Sequence, residues 1–378
     1  MRIGYDAKRI VRNATGLGSY GRTLINSLSE VNTTDDLWLY APDAGRDDLR
    51  TQVEQRPNVS FHYPQHMPLR LQRDLWRMSG IVKDLKKDRI ALYHGLSGEL
   101  PQGIKAAGIP AIVTIHDLIF LRHPEYYRKI DVMIYRHKFY KTIREATRII
   151  AISECTKRDI LHYADFPEDR IDVIYQSCGT AFAAPVAPEV IAATRKKYAL
   201  PDTYMLSVGS IEARKNLLLA VKALDHLPEH IHLVAIGRPT AYTQQVVVYA
   251  QQHGLAHRLH LLHGIPNAEL PALYQGAKVF VYPSRYEGFG IPIIEAIQSG
   301  LPVVAATGSC LEEAGGPHSI YVDPDNEQTL AEAVTRYLHY PDYTRDAIAC
   351  SKSYVARFEN KDIAREMIEE YAKVKNEE

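Results

Sequence analysis

Glu287 and Glu295 bracket the stretch Gly288-Phe289-Gly290-Ile291-Pro292-Ile293-Ile294. Ionised carboxylates only accept hydrogen bonds, and a sugar or ribose offers vicinal hydroxyl donors. The apolar run Ala277–Pro283 before them reads as a short buried strand. Gly288 and Gly290 allow a tight turn, and Pro292 suits a first helical turn, where its missing N–H costs nothing. Gly300 then stops the helix. Such a strand–turn–helix junction offers N–H groups and a positive dipole end to hydroxyls or phosphates. Two carboxylates at this spacing read as a carbohydrate-and-phosphate cradle, or as ordinary surface glutamates on either side of a helix.

A second cluster is Gly209-Ser210-Ile211-Glu212-Ala213-Arg214-Lys215-Asn216, after the apolar run Tyr204–Val208. It places Arg214 and Lys215 at an expected helix start, where the dipole disfavours cations. Two cations set against that trend point to an anion, and a diphosphate fits: Arg grips it bidentately and Lys acts as a point charge. A third cluster, Gly16-Leu17-Gly18-Ser19-Tyr20-Gly21, follows the first strand and also satisfies the G-x-G-x-x-G dinucleotide spacing. A dinucleotide site needs an acidic residue at the end of strand two; Asp43 lies too far along, after Pro42, so an NAD-type oxidoreductase is the lesser alternative. His116 and Asp117 end another strand, where a histidine is as readily structural as functional. His253, His257, His260 and His263 have ligand-like spacing but straddle a helix end and a strand, and Asp323-Pro324-Asp325 reads as a helix cap; no metal is expected.

The elements that must position these residues alternate along the whole chain: short apolar strands, then amphipathic helices. That pattern defines an α/β fold of doubly wound parallel sheets. Seven strands are expected before residue 180, beginning Arg2–Tyr5 and ending Ile171–Ile174. Six more follow, from Tyr204–Val208 to Ser319–Val322. The Pro/Ala-rich run 183–188 marks 181–203 as a linker between a domain 1–180 and a domain 204–357. Residues 358–378 read as a charged amphipathic helix.

With 378 residues, two domains are expected. Zero formal charge argues against a nucleic-acid partner. The four cysteines form no C-x2-C pair, and no segment reads as a signal peptide or membrane span, so a cytoplasmic protein is expected. The stretches 69–78 and 126–144 mix cations with aromatic and apolar residues, a composition common on a solvated face and suited also to an anionic membrane surface or a lipid-diphosphate acceptor.

The Glu287-to-Glu295 element, the following Ser299-Gly300-Leu301-Pro302-Val303-Val304, the Arg214-Lys215-Asn216 step and the opening Thr15-Gly16-Leu17-Gly18 loop occur in the order found in family-four glycosyltransferases of the GT-B fold, and the chain resembles the bacterial mannosyltransferase-like branch from Met1 to about Leu338. The resemblance implies two Rossmann-like domains facing across a cleft, the N-terminal one for acceptor and the C-terminal one for a nucleotide sugar, with the last helix crossing back to the first domain. It implies that Arg214 and Lys215 neutralise the leaving diphosphate. Glu287 and the N–H groups of Phe289, Gly290 and Ile291 would hold sugar hydroxyls, and Glu295 the ribose. Gly16, Gly18, Gly209 and Gly288 would allow close approach to the donor, with Ile265 against the base. His116 would lie near the transferred sugar, oriented by Asp117, with Tyr20 on the acceptor side. The expected partners are a nucleotide sugar, GDP-mannose preferred, and a glycan or lipid-linked acceptor. Retention of configuration and no separate cofactor are implied. A non-catalytic sugar-nucleotide binder is the remaining alternative.

Overall fold

Thirteen short strands, buried towards the middle of each sheet and only half-buried in the edge strands Val59–His62 and Leu259–Leu262, assemble into two all-parallel sheets in the computed structural model, which describes residues 1–178 and 180–376. The first sheet has the order β3-β2-β1-β4-β5-β6-β7. Its strands are β1 Arg2–Asp6, β2 Asp36–Tyr40, β3 Val59–His62, β4 Leu92–Gly95, β5 Ala111–Ile115, β6 Arg148–Ala151 and β7 Ile171–Val173. The second has the order β10-β9-β8-β11-β12-β13. It comprises β8 Tyr204–Val208, β9 His232–Ile236, β10 Leu259–Leu262, β11 Val279–Tyr282, β12 Val303–Ala306 and β13 Ile320–Val322. Runs such as Ala111–Ile115, buried at every position, are what a parallel strand covered by helices on both faces requires.

In both sheets the strand order reverses beside the first strand: between β1 and β4, and between β8 and β11. Chains leaving two such strands at their carboxyl ends diverge to opposite faces and open a crevice, the usual ligand position in doubly wound sheets.

The chain divides into two compact units, one of Met1–Ser177 with Phe358–Glu378, the other Cys178–Arg357. Gly179, Glu377 and Glu378 lie outside the described residues. Helix Asn360–Asn376 belongs to the first unit. Its Ile363, Ala364, Met367, Tyr371 and Val374 are buried in one cluster with Ile3, Ile25 and Leu28. Its Glu370 forms a buried ion pair with Arg148 of β6.

The stretch 181–203 differs from the linker reading. It carries helix Pro188–Lys197, which packs on helix Leu270–Gly276 of the second unit. Pro188 sits in the first turn, where it starts a helix rather than breaking one.

Candidate active site

The sequence-derived residues fall into two groups, one in each unit. In the second unit, β8 ends at Val208 and Gly209 turns with φ 148°. A side chain there would be strained and would press on Lys215, whose Nζ lies 3.0 Å from the ideal Cβ position. Gly237, after β9, is as constrained: its Cβ would fall 1.8 Å from the Gly209 carbonyl oxygen. Arg214 and Lys215 do not begin an α-helix. They occupy a 3₁₀ turn, Ala213–Lys215, and the helix starts only at Leu217.

Between turn and helix stands Asn216, buried and left-handed (φ 55°, ψ 35°). Its Nδ2 donates to the Pro283 carbonyl at 3.2 Å and the Pro324 carbonyl at 2.8 Å, tying three loops together. Asparagine adopts this conformation more readily than most residues. Its presence beside Arg214-Lys215 was legible in sequence; its locking role was not.

The cations converge on Glu287, which follows β11 across the strand reversal. Arg214 Nη1 is 2.7 Å from Glu287 Oε2 and Lys215 Nζ 3.0 Å from Oε1. Ser284 and Tyr282 donate hydroxyl hydrogen bonds to the same Oε1 at 2.8 and 3.1 Å. Lys215 also donates to the Tyr282 hydroxyl at 2.7 Å, and Arg214 to the Tyr286 carbonyl. Burial alone would raise the Glu287 pKa, but Lys215 and Arg214 override it and hold the carboxyl at about 2. Glu287 thus differs from a carboxylate simply open to sugar hydroxyls: it is the counterion that organises two cations. The Tyr282 and Ser284 donors were missed because strand-end hydroxyls carry no pattern of their own.

The loop beyond Glu287 is held from beneath. The Cys310 thiol donates to the carbonyls of Glu287 at 3.0 Å and Phe289 at 2.9 Å. Phe289 is buried, and Gly290 (φ 130°) lies against Leu311 and Ala314, either of which would be 3.2 Å from an added Cβ. Helix Ile291–Gln298 starts there, with Pro292 in its first turn as expected. Glu295 lies within it and accepts from the Tyr274 hydroxyl at 2.8 Å. Burial lifts its carboxyl to about 7, against that hydrogen bond. Ile265, half-buried, follows β10 at the sheet edge.

In the first unit, Gly16 and Gly18 are not a free loop. They begin helix Gly16–Val31, after a short helix Lys8–Arg12 that the sequence pattern did not reveal. A Cβ on Gly18 would sit 1.8 Å from the Asn13 carbonyl oxygen, whereas one on Gly16 would meet nothing within 4 Å. The close approach at Gly18 is therefore to the protein's own backbone; only Gly16 faces open space. Asp43 is ion-paired with Arg12 and, at 2.9 Å, with Arg73, so it is committed and no ribose-binding acid stands there.

His116 follows β5. Its Nε2 lies 2.8 Å from the Leu96 carbonyl and its Nδ1 2.8 Å from Gln176 Nε2. These partners fix a neutral ring with the proton on Nε2 and Gln176 donating to Nδ1. Burial lowers its pKa to about 4, against the Leu96 hydrogen bond. Leu96 and Gln176 thus hold the ring, and Asp117 Oδ1 accepts from the Ile119 N–H at 3.1 Å. Gln176 lies sixty residues away in sequence, which hid the pairing. The Tyr20 ring stands edge-on to His116, centroids 4.8 Å apart.

Two parallel-sheet α/β units, with a cation–carboxylate cluster at the strand reversal of the second, define the GT-B class of transferase. The family model "Glycosyltransferase Family 4" matches residues 15–182, and "Glycosyl transferases group 1" matches 190–373. The chain belongs to the GT-B glycosyltransferases, with a family-four N-terminal half and a group 1 C-terminal half. It is 25% identical to O-antigen chain mannosyltransferase B of Escherichia coli, over 98% of this chain and 99% of that one. Among solved structures it resembles sucrose-phosphate synthase from Thermosynechococcus elongatus (TM-score 0.77, 21% identity, all of both chains). It also resembles Anabaena Alr3699/HepE in complex with UDP and glucose (TM-score 0.74, 17% identity, 99% of this chain and 100% of that one).

Proposed function

We propose that the chain transfers a hexose, mannose from GDP-mannose foremost, from a nucleotide sugar to a glycan or lipid-linked acceptor in cell-surface polysaccharide synthesis, with retention of configuration. The cluster Arg214–Lys215–Glu287 carries this reading. Here Glu287 is the shared counterion of both cations, one negative charge against two positive ones. A diphosphate presents more charge than one carboxylate and takes its place beside them. Arg214 and Lys215 then meet the charge that grows as the bond from the sugar's anomeric carbon to the diphosphate breaks, the developing-charge stabilisation that dominates many enzymes. The released Glu287, with the N–H groups of Phe289, Gly290 and Ile291, takes sugar hydroxyls, and Glu295 takes the ribose. The acceptor oxygen bonds to the anomeric carbon, and its proton passes to a donor phosphate oxygen. Mannose is favoured by the similarity to an O-antigen mannosyltransferase.

The acceptor is assigned to the first unit. A cavity of about 660 Å³ lies at the carboxyl ends of β1 and β4, where the strand order reverses. On its floor Arg77 is ion-paired with Asp6 and Glu99, and Lys138 reaches Glu99 at 2.9 Å. Lys8, Arg70 and Lys141 add to its walls, so five cations face the three carboxylates Asp6, Asp74 and Glu99. Burial, and next the Arg77 charge, lower the Lys8 pKa, a strain that an anionic ligand relieves. The rim is apolar: Met78 and Met133 line it, and Leu69, Leu71 and Leu75 stand exposed on the same segment. Cations under an apolar rim suit a phosphate-bearing, lipid-linked acceptor presented at the inner face of a membrane.

A panel of nucleotide sugars tested for transfer to lipid-extract acceptors decides the reading. GDP-mannose turnover is expected, with Arg214→Ala reduced about 100-fold or more. Near-normal turnover in that variant removes Arg214 from its role. Tight donor binding with no transfer to any acceptor favours a binder over an enzyme.

A further inference from the structure

The first unit contains a buried polar chain that the proposed reaction does not use. Tyr371, on the C-terminal helix Asn360–Asn376, places its hydroxyl 2.8 Å from His94 Nδ1. His94 Nε2 is 2.8 Å from the Thr114 hydroxyl, and that hydroxyl is 3.2 Å from the hydroxyl of Tyr20. Tyr20 is the residue whose ring stands edge-on to His116. Tyr371, His94 and Thr114 are at most 1% exposed. Tyr5 packs its ring against both His94 and Tyr371, with centroids 6.0 and 6.3 Å apart. A line of hydrogen bonds thus runs from the last helix through β4 and β5 to the wall beside His116.

The line has a direction. A neutral imidazole donates through one nitrogen and accepts through the other, and burial drives the His94 pKa down to about 3, keeping it neutral. A phenol is a stronger acid than an aliphatic hydroxyl, and an imidazole nitrogen is the best acceptor in the set. The strongest arrangement therefore has Tyr371 donating to Nδ1, Nε2–H donating to Thr114, and Thr114 donating to the Tyr20 oxygen. In that arrangement the proton of half-buried Tyr20 is not spent on Thr114, and Tyr20 can act as a donor. Reversed, Tyr20 spends its proton inward. Each hydrogen bond in such a chain polarises the next.

We infer that Tyr371 is a positioning residue for transfer: through His94 and Thr114 it sets Tyr20 as a hydrogen-bond donor beside His116, for a hydroxyl of the acceptor. This rests on the glycosyl-transfer reading. Tyr371→Phe keeps the ring and removes only the hydroxyl. It is expected to lower kcat about five- to tenfold with the donor KM unchanged, since the loss is of one hydrogen bond in the reacting complex. Tyr20→Phe is expected to cost as much or more, and the double variant no more than Tyr20→Phe alone. That non-additivity is the decisive readout, because the two hydroxyls share no direct hydrogen bond and independent structural effects add.

Full kcat in folded Tyr371→Phe, or additive losses in the double variant, overturns the inference while leaving glycosyl transfer standing. A wild-type protein that transfers from no nucleotide sugar overturns both. Should Tyr371→Phe yield no cooperative melting transition, Thr114→Val, which cuts the chain at its middle, takes its place in the same cycle: a non-additive loss with Tyr20→Phe supports the inference, and full kcat or an additive loss overturns it.

Discussion

Glu287 and Glu295 sit at either end of one short junction, and their surroundings push them in opposite directions. Glu287 has a folded pKa of about 2, below the ordinary carboxylate value of 4.5. It therefore contributes stability that is present above pH 4.5 and is lost as pH falls through 2. Glu295 has a folded pKa of about 7, above 4.5. Its contribution is complete below pH 4.5 and lost as pH rises through 7. Glu287→Gln should destabilise the protein at pH 7 by about 3 kcal/mol or more, because two buried cations lose their counterion. Glu295→Gln should do the reverse. It should melt higher than wild type at pH 8, by up to about 3 kcal/mol, with the gap closing towards pH 5. Nucleotide affinity should fall in the same variant, a trade of stability for function. Melting curves from pH 5 to 8, with and without nucleotide, check both signs. Residue identities at this site were legible because charged side chains beside glycines are conspicuous in sequence. Their mutual engagement was not, since Ser284, Tyr282 and Cys310 reach Glu287 and its loop only through folding.

At the level of elements, the strands were the clearest part of the sequence. Tyr204–Val208 has the bounds its apolar run predicts, and Val279–Tyr282 fills the middle of the run Ala277–Pro283, because a parallel strand buried on both faces must be apolar throughout. Short helices were harder. Lys8–Arg12 is only five residues long, too short for a helical period to show, and Pro188–Lys197 was masked by the composition of a linker. The opening glycines mix both cases. Gly18 is required by the helix against Asn13, and Gly16 is not. Gly18→Ala should cost well over 1 kcal/mol of stability. Gly16→Ala should leave the melting temperature within a degree or two and lower kcat/KM if a ligand approaches that open backbone. Parallel thermal and kinetic measurements separate the two glycines.

On the scale of the whole molecule, exposed large apolar side chains concentrate on two segments: Leu69, Leu71, Leu75 and Met78 on one, Ile130, Met133 and Ile134 on the other. Leu71 is 69% and Met133 61% exposed. Among the described residues no helix is long and apolar enough to cross a membrane. Sedimentation with vesicles should show binding to anionic phosphatidylglycerol and little to neutral phosphatidylcholine, weakening as salt rises. The paired change Leu71→Glu with Met133→Glu should abolish it while leaving donor binding intact. Binding that ignores lipid charge, or that survives the paired change, removes this face from the account.

The first unit is also split in sequence. Ile363, Ala364, Met367, Tyr371 and Val374 complete a core whose other buried members lie before residue 178, and the intervening 180 residues, 178–357, form the second unit. At roughly 5–20 residues per second on the ribosome, the early half waits about 10–40 s with Ile25 and Leu28 uncovered, while the later half is contiguous and can close as soon as it emerges. Nascent chains stalled before residue 360 should therefore recruit chaperones at the earlier half, and a premature stop there should yield an aggregation-prone product rather than a shortened enzyme.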